Sequence, residues 1–134
     1  MTKQYCTIPI VFNRCKTKKR NFFLNLNAYT QVAKNPHVRN STKKMYEELI
    51  QPNISHLKPI TGQFKVTYTI YRDYVKSPVL FDLDNVASIV SKYFMDTIVN
   101  AGIAIDDNYN HMVEVTIKYG GKGETRAEVE IEEI

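Results

Sequence analysis

Cysteine, histidine, glycine and long apolar runs are all scarce in this 134-residue chain, and each shortage removes a class of function. Two cysteines, Cys6 and Cys15, are too few and wrongly spaced for a zinc site or a secreted disulfide framework, so they read as a reduced thiol pair. His37, His56 and His111 show no metal-ligand spacing. The glycine cluster Gly120-Gly121-Lys122-Gly123 comes late and lacks a following Lys-Ser/Thr, which excludes a P-loop. No stretch approaches the roughly 20 apolar residues of a membrane helix, and Met1-Thr2-Lys3-Gln4-Tyr5 has no signal-peptide character. A soluble protein of the cytoplasm is expected, without a membrane partner.

Acidic residues are scarce too, but only in one half. Residues 1–60 carry eleven Lys or Arg against Glu47 and Glu48, a net +9; residues 61–134 carry seven against twelve acids, a net −5. This division suits a protein that holds a polyanion with one region and gathers carboxylates in another. The densest basic run, Arg14-Cys15-Lys16-Thr17-Lys18-Lys19-Arg20, is hard to bury and reads as an exposed loop able to contact phosphates.

Around these charges the pattern predicts a single α+β domain over residues 1–134, large enough for its own core. Its mixed sheet of four to five strands is packed by a long central helix and by N-terminal helices. Tyr5 to Phe12 reads as a strand that Pro9 confines to an edge or a bulge. Residues 25–35 read as a helix capped by Asn25 or Asn27 and closed before Pro36. A second helix is expected from a Ser41 or Thr42 cap to about Ile50, with Met45, Tyr46 and Leu49 on one face, and residues 53–62 as a connection. Gln63 to Tyr71 alternates as a strand with Phe64, Val66, Tyr68 and Ile70 on one side. From Asn85, the recurrence of Val86, Ile89, Val90, Tyr93, Phe94, Thr97, Ile98 and Ala101 predicts a helix that Gly102 stops. Residues 111–119 and 126–131 alternate as two strands, expected to form a hairpin about the glycine cluster.

The acidic residues carry the chemistry. Asp82 and Asp84 in Asp82-Leu83-Asp84-Asn85 would share one side if that segment were extended, and a helix that runs out and returns would bring Asp106 and Asp107 back to them. Hard oxygen ligands of this kind suit Mg²⁺, with Mn²⁺ as a substitute. An EF-hand is excluded, because the glycine and the twelfth-position Glu are missing. Taken singly, Asp84 also reads as a helix cap, Asp106-Asp107-Asn108 as a turn, and Lys92 as a solvated partner of Asp96 four residues on.

Asp82-Leu83-Asp84-Asn85, then Lys92 with Asp96, then Ala101-Gly102 and Asp106-Asp107, resembles the signature of the RusA family of Holliday junction resolvases, many of them phage or prophage encoded. The likeness covers roughly residues 81–112, and Asn13 with the basic loop stands where the family has an Asn/Arg-rich segment. It implies Asp82, Asp84 and Asp107 as essential metal-binding carboxylates, Asp106 as their supporting neighbour and Lys92 as the essential cation. Phe81 stands where some members carry a basic residue. About one extra helical turn lies between Asn85 and Lys92 relative to shorter members, which leaves Ser88 as the rival for the Lys92 position. The resemblance further implies a Mg²⁺-dependent homodimeric endonuclease that resolves four-way DNA junctions by paired nicks, leaving 5′-phosphate and 3′-hydroxyl ends in a bacterial host cell. Arg14, Lys16, Lys18, Lys19, Arg20, Lys43 and Lys44 are the candidate DNA-backbone contacts, and Phe22, Phe23 or Tyr29 either stack on unpaired bases or pack in the core. The same residues also suit a nuclease for flaps and other branched DNA, or an accessory protein that binds nucleic acid without cutting it.

Overall fold

Tyr68 and its neighbours show how the chain is organised. In the computed structural model, which describes residues 2–15, 17–73 and 82–134, strand β4 (Phe64–Arg72) buries every second side chain: Phe64, Val66, Tyr68, Ile70 and Arg72. This period of two marks a central strand with one face against a core. Around it the order of a four-stranded sheet is β1-β6-β4-β5, with β1 at Thr2–Ile8, β5 at Met112–Lys122 and β6 at Arg126–Glu133. β4 and β5 run parallel, because helix α3 (Leu83–Asn100) carries the chain back between them, as a parallel pair requires. The other neighbouring pairs are antiparallel. The sheet is mixed and the domain is α+β, as expected.

β1 is an edge strand, as Pro9 suggested, but the single strand expected over Tyr5 to Phe12 is broken there: β1 ends at Ile8 and a separate strand begins at Val11. The chain then forms a small hairpin of β2 (Val11–Asn13) and β3 (Asn21–Phe23). Helix α1 (Leu26–Ala33) is capped by Asn25, whose side chain accepts the Ala28 N–H at 2.8 Å.

The second helix begins earlier than predicted. Helix α2 spans Pro36–Ile54, capped by the Asn35 side chain, which accepts from His37 and Val38 N–H groups at 2.9 and 3.4 Å. Proline at the first helical position gives up only an N–H that would be unsatisfied anyway. The supposed caps Ser41 and Thr42 lie inside the helix, where both hydroxyls donate to the Val38 carbonyl. The buried stripe is accordingly Thr42, Tyr46, Ile50 and Ile54, at exact steps of four, and Leu49 faces outward with 45% exposure.

The expected hairpin of the last two strands is also corrected. β5 and β6 run in opposite directions but flank β4 on either side and do not pair with each other. Their connection crosses the end of β4, where Gly123 N–H donates to the Arg72 carbonyl at 3.1 Å and Asp73 N–H donates to the Thr125 hydroxyl at 3.0 Å. Ala127, Val129 and Ile131 of β6 are almost fully buried and take the interior place between β1 and β4. Gly120 has its own reason: it sits at a register shift in β5, and a Cβ there would lie 2.6 Å from the Tyr71 ring.

Helices α2 and α3 pack on the sheet and α1 packs against both of them, with α3 supplying a wall of Val86, Ile89, Val90, Phe94, Met95 and Ile98. The opposite face carries Lys65, Thr67, Glu128 and Glu130 and is only half-buried. The basic and acidic halves of the chain are interleaved: Lys43 of α2 pairs with Asp96 of α3 at 2.9 Å, and Lys3 of β1 with Glu130 of β6 at 3.6 Å.

Candidate functional site

The stripe that buries α3 dictates what remains outside. With Val86, Val90, Phe94 and Ile98 turned inward, Asp84, Ser88, Lys92 and Asp96 fall at successive steps of four along the outer side. The helix stops where its sequence says it should. Gly102 adopts φ +76°, its N–H donates to Val99 O at 3.1 Å, and Ile103 N–H donates to Ile98 O at 2.9 Å, a Schellman closure with buried Ile103 packed into the core. This closure turns the chain back along the helix and delivers Asp107.

Asp84, Ser88, Ser91, Lys92, Asp96 and Asp107 consequently line a single groove of about 470 Å³ between α3 and β5. Its floor is apolar, built from Ala87, Met95, Met112, Val115 and Ile117. Beneath it the buried Tyr68 hydroxyl donates to Ser91 Oγ at 3.1 Å, and burial raises the Tyr68 pKa. The groove unites two of the three carboxylates expected to bind metal with both rivals for the cationic position, Lys92 and Ser88.

Asp82 stands apart from this lining. It occupies the N-cap of α3 in an extended conformation without a side-chain capping bond, whereas Asp84 lies inside the first turn and accepts Asn85 N–H at 3.0 Å. The shared extended face expected for Asp82 and Asp84 therefore does not form: the helix starts two residues earlier than the alternation argument assumed. Among the described residues no group of three or more Asp, Glu, His or Cys is gathered closely enough to hold a metal ion.

Asp106 and Asp107 differ although adjacent. Asp106 accepts the Asp107 N–H at 2.7 Å and the Asn108 amide at 3.0 Å, and the Asp107 N–H above all holds its carboxyl below the usual range. Asp107 is pushed upward, first by partial desolvation against the groove and then by its hydrogen bond with the Asp106 side chain. Asp106 thus shapes the turn and Asp107 faces the groove. Mg²⁺ is commonly held by one or two carboxylates together with waters and substrate phosphate, and Asp84 and Asp107 are the groove carboxylates that could enter such a set.

Lys92 also reaches beyond the groove. Its Nζ lies 5.9 Å from the centroid of the Tyr29 ring, and it lines both the groove and a neighbouring cleft of about 280 Å³ formed by Tyr29, Arg39, Asn40, Lys43 and Tyr93. The expected partner of Lys92, Asp96, is bridged instead by Lys43. Arg39 and Asn40 were not legible as site residues, because placing the start of α2 at Ser41 or Thr42 left them outside any element. Tyr93 was legible only as one member of an apolar stripe.

The basic loop forms the tip of the β2–β3 hairpin. Asn13 closes its base by accepting Arg20 N–H at 2.8 Å and Cys15 N–H at 3.3 Å. Lys18, Lys19 and Arg20 are exposed, Arg14 is half-buried, and Lys16 lies outside the described residues. Lys44 is exposed on α2, while Lys43 is half-buried in its bridge to Asp96. Phe22 belongs to the core, stacked near Tyr93 with ring centroids 6.1 Å apart, which removes it as a base-stacking platform.

The same loop lowers the Cys15 pKa to about 7, chiefly through its hydrogen bond with the Thr17 side chain, whereas burial pushes Cys6 up to about 12. At pH 7 roughly half of Cys15 is thiolate, against about one part in 10⁵ for Cys6. Iodoacetamide should therefore add one carbamidomethyl group to the native protein, with a rate that is half-maximal near pH 7. The second should appear only on unfolding. Simultaneous modification of both thiols, read by mass spectrometry, would contradict the difference.

The fold and this site define a single α+β domain with a carboxylate- and lysine-lined groove beside an edge strand of its sheet. No protein-family model matches the chain, and no curated protein sequence matches it significantly. No described helix is long and apolar enough to cross a membrane.

Proposed function

We propose that this protein is a Mg²⁺-dependent endodeoxyribonuclease that resolves four-way DNA junctions by paired nicks, working in the cytoplasm of a bacterial host. The observation that supports this reading most is the convergence of Asp84, Asp107 and Lys92 on one groove from the start, the far side and the middle of the α3 excursion. Asp84 and Asp107 would hold the metal, with Asp82, two residues before Asp84, as the third carboxylate that the RusA resemblance implies. Bound there, Mg²⁺ would supply an activated water at neutral pH and neutralise charge on the scissile phosphate. Lys92 would add a point charge to that phosphate, and the apolar floor would limit competing water. Lys18, Lys19, Arg20 and Lys44 would track the arms of the DNA by contacts that are independent of sequence.

A junction with two-fold symmetry calls for two nicking sites, and β5 offers a self-complementary edge for a homodimer. This strand pairs only with β4 among the described residues, and Val113 and Val115 are each 41% exposed. An antiparallel two-fold pairing centred on Thr116 would set Glu114 against the partner's Lys118 and Val115 against the partner's Ile117. Neither Glu114 nor Lys118 has an ion-pair partner within 4.0 Å among the described residues. Reversing one charge turns two attractive cross-strand pairs into two repulsive ones, about 2 kcal/mol in all, or roughly a 30-fold weaker dimer. Glu114→Lys and Lys118→Glu should each shift sedimentation toward monomer, and the double variant should return to dimer. A double variant no better than the singles would rule out this register.

The function is tested with a mobile four-way junction, a flap and a linear duplex, each incubated with Mg²⁺ or EDTA. Symmetric paired nicks in the junction alone, with Mg²⁺ alone, are expected, and the products should be sealed by DNA ligase. Equal cleavage of the flap would redefine the substrate as branched DNA in general. Tight junction binding without cleavage at any Mg²⁺ or Mn²⁺ concentration would identify a binding protein instead.

A further inference from the structure

Tyr93 carries a feature that its place in an apolar stripe does not explain. The residue is 2% exposed, and its hydroxyl has no hydrogen-bond partner among the described residues. Leaving a buried hydroxyl unsatisfied costs about 1–3 kcal/mol, so folding alone would favour phenylalanine at this position. Tyr93 also lines the small cleft beside the groove, where charge is concentrated, together with Tyr29, Arg39, Asn40, Lys43 and Lys92. Three of those side chains are cationic, and only Lys43 has an acidic partner within 4.0 Å among the described residues, Asp96. Asn40 adds an amide whose two N–H groups are donors. Burial, with Tyr29 and Asp96 nearby, raises the Tyr93 pKa to about 12, so the hydroxyl keeps its proton and acts as a donor.

We infer that this cleft is a phosphate-binding site, in which Arg39, Lys92 and the Tyr93 hydroxyl receive a phosphodiester group of the DNA backbone next to the one acted on in the groove. Arg39 presents a planar fork that matches two phosphate oxygens, and its guanidinium is charged at every relevant pH. Lys92 lines the cleft and the groove at once, so a strand crossing both would place consecutive phosphates on either side of this lysine. Tyr93 would contribute one O–H donor, and Tyr29, half-buried with a ring that already faces the Lys92 ammonium, would form the apolar side of the seat. The phosphate site itself requires no metal and no cleavage. Its assignment to the DNA backbone rests on the proposed nuclease reading.

The two are separated by working in EDTA, where nothing can be cut. Inorganic phosphate is titrated into wild type, Arg39→Gln and Tyr93→Phe at constant ionic strength, with chloride as the control anion, and thermal midpoints and backbone amide NMR shifts are recorded. Wild type should be stabilised by phosphate beyond chloride, with shifts centred on residues 39–43 and 92–93. Arg39→Gln should bind phosphate about tenfold more weakly at unchanged anion-free stability. Tyr93→Phe is the discriminating variant: without phosphate it should be at least as stable as wild type, and its phosphate affinity should fall about threefold to tenfold. A hydroxyl with a purely structural role would give the opposite, a less stable protein with an unchanged phosphate response, and would overturn the site. Equal phosphate responses in all three proteins would overturn it as well. A short single-stranded oligonucleotide in the same EDTA buffer tests the source. Weaker oligonucleotide binding by Arg39→Gln supports a backbone seat, whereas loss confined to inorganic phosphate overturns that assignment and leaves a free-phosphate site. Failure of the wild type to cut any DNA when Mg²⁺ is restored would reject the nuclease reading and leave the phosphate result standing.

Discussion

Asp84→Asn and Asp107→Asn are each expected to lower Mg²⁺-dependent cleavage of a four-way junction by about 10³-fold, equivalent to about 4 kcal/mol of transition-state stabilisation. Each change keeps the shape of the side chain and removes its charge, and a hard cation loses most of its affinity when a carboxylate becomes an amide. Both side chains line the groove without entering the core, so thermal stability and junction binding in EDTA should remain within experimental error of wild type. Asp106→Asn is expected to behave differently. The amide oxygen can still accept the Asp107 N–H, so the turn survives and the loss should stay within about tenfold. Wild-type rates from either Asp84→Asn or Asp107→Asn would remove the metal assignment from the groove. Equal collapse of all three variants would show that the division between a turn-forming and a groove-facing aspartate is wrong. Lys92→Ala and Ser88→Ala belong in the same series: Lys92 is expected to matter more, and inactivity of the serine variant alone would transfer the role to Ser88.

Tyr46→Ala should have the largest effect on stability. The ring is completely buried, with centroids 5.1 Å from Phe12 and 5.6 Å from Tyr93, and its hydroxyl donates to the Pro9 carbonyl at 2.9 Å. This one side chain therefore ties α2 to α3, to the β2–β3 hairpin and to the chain leaving β1. Truncating a buried aromatic costs about 3–5 kcal/mol, a large share of the 5–15 kcal/mol typical of a whole domain. For a chain of this length the thermal midpoint should fall by roughly 10–20 °C. Tyr46→Phe separates packing from hydrogen bonding: it keeps the ring, leaves the Pro9 carbonyl without this donor, and should cost about 1–2 kcal/mol. Comparable losses from both substitutions would mean that the hydroxyl, and not the ring, holds the hairpin against the helices.

Much of the local structure was legible from periodicity and punctuation. β4 and α3 are visible as steps of two and of three to four, because an element that buries one face must repeat apolar residues at its own period. Gly102 was legible as the stop of α3, since only a residue free of Cβ strain adopts positive φ cheaply. Asn25, with Asn27 as its alternative, was legible as a cap because a short amide side chain accepts a free first-turn N–H, and Pro9 as the mark of an edge or bulge because it lacks a ladder donor. Where local rules competed, they misled. Ser41 and Thr42 look like caps, but Pro36 and Asn35 had already begun the helix, and a hydroxyl can bond back to a helix carbonyl as readily as it caps one.

Pairing was not legible at all. Two alternating strands around a glycine cluster look like a hairpin, yet β6 crosses the end of β4 to reach an interior position. Which strand lies beside which depends on the total area buried, and that sum is not encoded near the turn. The candidate site divides along the same line. Sequence alone determined the residue types, their order along the chain, the separation of Ser88 and Lys92 by one helical turn, and the return of the chain to Asp106 and Asp107, because an amphipathic helix of known pitch with a glycine stop dictates the last two. Only the tertiary structure decided that Asp82 stays at the helix cap outside the groove, that Asp96 is bridged by Lys43, and that Arg39 and Tyr93 line one cleft with Lys92. Those relations join α1, α2 and α3, and the distance between side chains on separate helices is set by how the helices pack on the sheet.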